Sequence, residues 1–77
     1  MLLAIRNINT NELISKDILD IPMNVLKIIE KDEQFFVKVN DNYLVDIPCN
    51  SIEDAEDCLK SIISVRNEYE AEAKENN

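Results

Sequence analysis

Glycine is missing altogether from these 77 residues, and so are histidine and tryptophan. Without glycine, the usual occupant of positive-φ positions in turns and helix C-caps is gone. Asparagine, the side chain that best replaces it in the left-handed region, is abundant, so turns are expected at Asn and Asp. Without histidine, and with only Cys49 and Cys58 outside any CxxC spacing, the chain has too few ligands for a structural zinc site. Basic residues are also scarce: eight Lys and Arg stand against sixteen Asp and Glu, a net charge of −8. Such a chain is repelled by phosphate backbones and by anionic lipid, so neither direct nucleic-acid binding nor membrane binding is expected. No apolar run approaches ~18 residues, and the N-terminus lacks the basic region, long apolar stretch and small-residue cleavage site of a secretory signal. A soluble protein of the cytoplasm with reduced thiols is expected.

Chemistry-bearing motifs are absent as well. No nucleophile stands beside a base, and the carboxylates do not follow a calcium-loop pattern. Asp32 with Glu33, and Asp41 with Asp46, are pairs of the kind that hold Mg²⁺, yet they are scattered over turns. The expectation is a protein that is not an enzyme, with no catalytic residue, no metal and no cofactor.

What is present suffices for one small domain spanning 1–77. Hydrophobic residues make up 45% of the chain, enough for a core without disulfides or metal. Chains this short bury a modest share of their surface, which keeps a homodimer open. In the N-terminal segment, 1–24, Met1 to Ile8 favours a strand, and Thr10 or Asn11 is placed to cap a short helix carrying Leu13, Ile14 and Ile18. Asp20-Ile21-Pro22-Met23-Asn24 recurs as Asp46-Ile47-Pro48-Cys49-Asn50, matching at four of five positions. Flanking residues barely match, so the recurrence reads as one turn chemistry used twice rather than a duplication.

Residues 25–47 read as an antiparallel meander. Val25 to Glu30, Gln34 to Val39 and Tyr43 to Ile47 are β-branched and aromatic runs separated by polar breaks. Pairing Ile28 with Val37 and Leu26 with Val39 places apolar residues on one face. With Asn40-Asp41-Asn42 as the second loop, Val39 meets Tyr43, Val37 meets Val45 and Phe35 meets Ile47, and the same face stays apolar. A register one residue away would mix both faces. This loop calls for a left-handed residue, for which Asn42 is suited. The opposite face is mixed, and Ile29, Phe36 and Leu44 on it form an apolar patch that the N-terminal segment or a second copy would have to cover.

Ser51 caps a helix over 51–72, with Asp54 in a capping-box position and acids in the first turn where the helix dipole favours them. Ile52, Ala55, Cys58, Leu59, Ile62, Ile63 and Tyr69 share the sector that faces the sheet. Arg66 and Glu70 intrude on it, so the helix is expected to outrun the core near Val65 and to end in a frayed acidic tail, 73–77. The fold class is therefore α+β: a three-stranded antiparallel meander packed on one long C-terminal helix, with an N-terminal strand or short helix.

Away from the core sector, the helix presents Glu53, Asp57, Glu68, Glu72 and Glu75. Within the pairs 53/57 and 68/72 the axial separation is ~6 Å, within reach of a phosphate row that descends ~3.4 Å per nucleotide. Such a stripe is also what the solvated face of any amphipathic helix looks like. With its acidic stripe and its glycine-free, Asn-, Ile- and Lys-using composition, the chain resembles in type the small acidic proteins that bacteriophages encode to disable host proteins, some of which imitate nucleic acid. No motif carries this resemblance. It implies a partner with a basic nucleic-acid channel or groove, such as a sliding clamp, a CRISPR nuclease, a polymerase or a repressor, met in the host cytoplasm. The alternative is a small antitoxin or adaptor that binds itself or a partner through Ile29, Phe36 and Leu44. Cys49 and Cys58 read as buried small hydrophobes.

Overall fold

A computed structural model describes the chain from residue 1 to residue 75, apart from the side chains of Met23, Lys74 and Glu75. The architecture is α+β, with one antiparallel sheet and one long C-terminal helix. Five strands, β1 (Leu2–Asn7), β2 (Leu13–Asp17), β3 (Lys27–Lys31), β4 (Gln34–Lys38) and β5 (Tyr43–Val45), are followed by helix α1 (Ile52–Glu75). The sheet order is β2-β1-β5-β4-β3. The meander of β3, β4 and β5 is therefore extended by two strands rather than standing alone, because β1 docks antiparallel on β5 with Ile5 opposite Val45 and Asn7 opposite Tyr43.

The N-terminal segment forms the strand expected over Met1 to Ile8, as β1, and departs from expectation after it. Leu13 to Asp17 is a strand, not a helix, and pairs with β1 from Leu2↔Asp17 to Arg6↔Leu13. Asn7 decides this locally. Its side-chain oxygen accepts from the backbone N–H of Asn9 at 2.8 Å and of Thr10 at 3.0 Å, and its carbonyl accepts from Asn11 N–H at 2.9 Å. Asn11 then takes φ 64° and turns the chain back into β2, so neither Thr10 nor Asn11 caps a helix. This is an asparagine in the role of the missing glycine.

Between β2 and β3 the chain forms short 3-10 turns at Ile18–Asp20 and Met23–Val25. Asp17 caps the first by accepting from Leu19 N–H at 2.9 Å. Ile18 and Ile21 from this connection are buried in the core with Leu3, Ile5, Val37, Val39, Val45 and Ile62. The two Asp-Ile-Pro copies share neither turn nor architecture: Ile21, buried, donates to Ile18 C=O at the end of a 3-10 turn, whereas Ile47, exposed, donates to Val45 C=O after β5.

In the β3–β4 hairpin Ile28 lies opposite Val37, as the alternation predicts. Its two-residue loop, Asp32-Glu33, has φ 53° and 66°, the signature of a type I′ turn. The β4–β5 connection keeps the expected register, with Lys38 opposite Leu44 and Val39 N–H donating to Tyr43 C=O at 3.0 Å. Asn42, however, has no positive φ. Asn40 removes the need by accepting from the N–H groups of Asn42 at 2.8 Å and Tyr43 at 2.9 Å, a side-chain turn in place of a left-handed residue. The expected Phe35–Ile47 pair is also replaced: Phe35 bridges to Cys49. Ile47 N–H donates to Val45 C=O at 2.8 Å, a γ-turn-like contact that lifts the chain out of the ladder before Pro48, which has no N–H to give.

Helix α1 begins where expected. Ser51 Oγ accepts from Asp54 N–H at 3.1 Å, and Ala55 and Ile62 are buried, with Cys58, Leu59 and Val65 packed on the core. It lies on β4, β3 and the 3-10 turn at Ile18–Asp20. Ile52 and Tyr69 from the expected core sector are instead exposed. The helix also runs past residue 72 to Glu75, so the tail expected to fray at 73–77 is helical as far as it is described, and Asn76 and Asn77 lie outside the described residues.

Candidate functional site

A helix of 24 residues is about 36 Å long, while strands of at most six residues span no more than about 20 Å. The longest dimension of the molecule, 44 Å against 26 and 17 Å, follows from that mismatch. Beyond Val65 no residue up to 73 is buried, and only Arg66 and Glu70 are half-buried, so this part of the helix is an arm that adds little to the core. Arg66 marks the transition: it pairs with Glu70 through Nη1 to Oε2 at 3.0 Å, while its Nε is buried without a hydrogen-bond partner.

The acidic stripe is divided by this geometry. Glu53 and Asp57 stand over the sheet, and Glu68 and Glu72 stand on the arm. All four are exposed, and none makes an ion pair among the described residues. From Asp57 to Glu68 the axial gap is about 16 Å, bridged on the same side by Lys60, Ser61 and Ser64. The stripe is thus two carboxylate pairs with a less charged interval. The side chain of Glu75 lies outside the described residues.

The back of the sheet has no helix on it. Ile29 faces Phe36 directly across β3 and β4, and both are half-buried. Leu44 does not join them as an exposed surface, for it is only 2% accessible. Its cross-strand neighbours are Lys38 on one side and Arg6 on the other, whose long stems are suited to cover an apolar side chain while their charged ends reach water. Leu2 and Leu13, on strands added by the N-terminal segment, are exposed instead. The N-terminal segment therefore covers the part of this face at Leu44, through Arg6, and widens the rest of it with Leu2 and Leu13.

The carboxylate pairs considered for Mg²⁺ are occupied or apart. Asp46 takes a two-point contact from Arg6, Nε to Oδ1 at 3.0 Å and Nη2 to Oδ2 at 3.3 Å. That hydrogen bonding, reinforced by the guanidinium charge and opposed by partial desolvation, holds the Asp46 carboxyl below its ordinary value. Arg6 also donates from Nη1 to the carbonyl of Asn11 at 2.8 Å, tying the β1–β2 loop to the end of β5. Asp41 lies 3.9 Å from Lys38 Nζ. Asp32 and Glu33 point outward from the type I′ turn as exposed residues. Among the described residues no three of His, Cys, Asp and Glu gather in one place, and no helix is long and apolar enough to cross a membrane.

Cys49 and Cys58 are free thiols that meet beneath the start of α1. Cys49 is buried and donates to the Ile47 carbonyl at 3.6 Å. Burial, and then the neighbouring Cys49, push the Cys58 thiol up, away from the thiolate form that reacts.

One feature of the surface is not foreshadowed by any run of sequence. Lys16, Lys27 and Lys38, from three different strands, line a single open cleft of about 600 Å³. Comparison with protein-family models, with curated proteins and with solved structures gives no match.

Proposed function

We propose that this is a non-enzymatic, acidic interaction protein that inhibits a nucleic-acid-handling host protein by presenting carboxylates to its basic surface, in the manner of the phage-encoded proteins it resembles in type. The observation that carries this reading is the helix arm. Glu53, Asp57, Glu68 and Glu72 are exposed and unpaired among the described residues on a rod about 36 Å long, the last two on a segment in which no residue up to 73 is buried. A helix lengthened past its sheet adds nothing to the core, and its acids raise the self-repulsion of a chain already at −8. Both features are useful if the arm enters a positively charged groove.

The test is capture from a bacterial lysate on immobilised protein, comparing the natural chain with the variant E53Q/D57N/E68Q/E72Q, which removes charge while keeping side-chain size. Retention by the natural chain should fall as salt rises, since exposed charges are screened beyond ~8 Å at physiological ionic strength, and should be lost in the variant. Equal retention of the same proteins by both would sink the proposal.

The apolar back of the sheet favours a second reading, an adaptor or antitoxin-like module. Its observation is the half-buried Ile29–Phe36 pair, with exposed Leu2 and Leu13 elsewhere on the face that carries no helix among the described residues. Phe36→Glu should abolish partner binding or self-association under this reading and leave carboxylate-driven retention intact under the first.

A further inference from the structure

The outer edge of β2 presents backbone N–H and C=O groups that β1 does not use. β2 closes one side of the sheet and β3 the other. In the β1–β2 ladder Asn7 N–H donates to Glu12 C=O at 2.8 Å, and just past its far end Ile18 N–H donates to Met1 C=O at 3.0 Å. The even-numbered residues of β2 therefore turn their backbone groups toward β1, and Leu13 and Ser15 turn theirs outward. Side chains follow the same alternation. Ile14 and Lys16 stand on the core face opposite Ile5 and Leu3, Glu12 extends that row by one step, and Leu13 and Ser15 stand on the back face. Open edges invite another strand, and lysine is a common guard against it. β3 is guarded in this way: Lys27 and Lys31 stand at its two ends, and a second copy laid antiparallel about Ile29 would set Lys27 against Lys31. β2 has the reverse pattern. A second copy laid antiparallel about Ile14 sets Glu12 against Lys16 on both sides of the axis, with Ile14 against Ile14 between them. Neither Glu12 nor Lys16 makes an ion pair within the chain among the described residues.

We infer that the chain pairs β2 with β2 of a second copy, joining two five-stranded sheets into one across a two-fold axis at Ile14. Each Leu13 exchanges backbone hydrogen bonds with Ser15 of the other copy. On the core face the Glu12–Lys16 pairs flank the two Ile14 side chains, and on the back face the exposed Leu13 side chains lie diagonal to each other. Charge selects this register. Centred on Ser15 instead, the same outward groups would still pair, but Lys16 would meet Ile14, and Glu12 would face the turn at Ile18–Asp20, which carries an acid of its own. The assembly closes as a dimer, because its two outer edges are then the lysine-guarded β3 strands. An edge of five residues makes a contact below the standard interface size, so the dimer is concentration-dependent. This surface is separate from the acidic stripe and from the Ile29–Phe36 patch, and the inference rests on neither.

The test is sedimentation velocity of the full-length chain from about 10 µM to about 1 mM, where a contact below standard size associates. The mass should rise from 8.9 kDa toward twice that value. E12K and K16E should each weaken the dimer by at least about tenfold, since the axis makes one substitution act at both pairs, and E12K/K16E together should restore it. S15P removes an outward N–H and leaves the β1 ladder intact, so it should abolish the dimer, whereas F36E should leave it in place. The charge swap keeps the test valid even if S15P perturbs the fold. A mass of 8.9 kDa at every concentration, a double variant as weak as the single ones, or a dimer lost in F36E and kept in S15P would each overturn the assignment.

Discussion

Glu33 shows what a chain without glycine has to tolerate. With φ at 66° it occupies the second central position of a type I′ turn, where Gly is strongly preferred and an ordinary L-residue costs about 1–2 kcal/mol. Glu33→Gly should therefore stabilise the protein by roughly 1 kcal/mol, read as a higher urea midpoint at unchanged slope; a lower midpoint would show that the turn is not type I′. Arg6 and Asp46 make a second residue-scale prediction. Because Asp46 titrates below its ordinary value, the pair's stabilising contribution is complete above the ordinary carboxylate range. It is lost as pH falls through the depressed folded value. Carbon-detected NMR of the Asp46 carboxyl should show a low midpoint in the natural chain and an ordinary one in Arg6→Gln. The same midpoint in both would deny the two-point contact.

At the scale of elements, the parts legible in the sequence were those governed by alternation and capping. Ile28 opposite Val37, Lys38 opposite Leu44 and the start of α1 at Ser51 follow from a period of two, from face consistency and from an N-cap hydroxyl. Ser51→Ala should cost about 1 kcal/mol in thermal or urea unfolding, and no loss would mean the helix start is held by its packing alone. The parts that escaped were governed by side-chain-to-backbone hydrogen bonds. Asn7 and Asn40 each accept two backbone N–H groups, and nothing in the residue types separates such a turn from a helix cap. For that reason β2 reads as a helix from its residues alone, and Asn42 as a left-handed residue, where the structure has a strand and a side-chain turn. The stripe positions were legible, because a 3.6-residue wheel fixes them, but their division into a pair over the sheet and a pair on the arm was not, because it depends on where the sheet ends. The cleft that Lys16, Lys27 and Lys38 help to line lay beyond sequence reasoning altogether, since strands from opposite edges of the sheet border it only through the topology and the connection at 18–26.

For the molecule as a whole, the structure separates the core that folds it from the carboxylates that the proposal assigns to a partner. The core of Ile5, Ile18, Ile21, Val37 and Val45 holds one face of the sheet, and no part of that core needs the helix beyond Val65. The arm and its carboxylates are therefore free to have been shaped by a partner. That claim is tested most directly by displacement. Host protein retained on the immobilised natural chain at low salt is challenged with a duplex DNA oligonucleotide in one arm and an uncharged polymer in the other. If Glu53, Asp57, Glu68 and Glu72 occupy a nucleic-acid site, DNA releases the retained protein and the uncharged polymer does not. Retention that withstands DNA at concentrations saturating the partner's own nucleic-acid site would contradict the account.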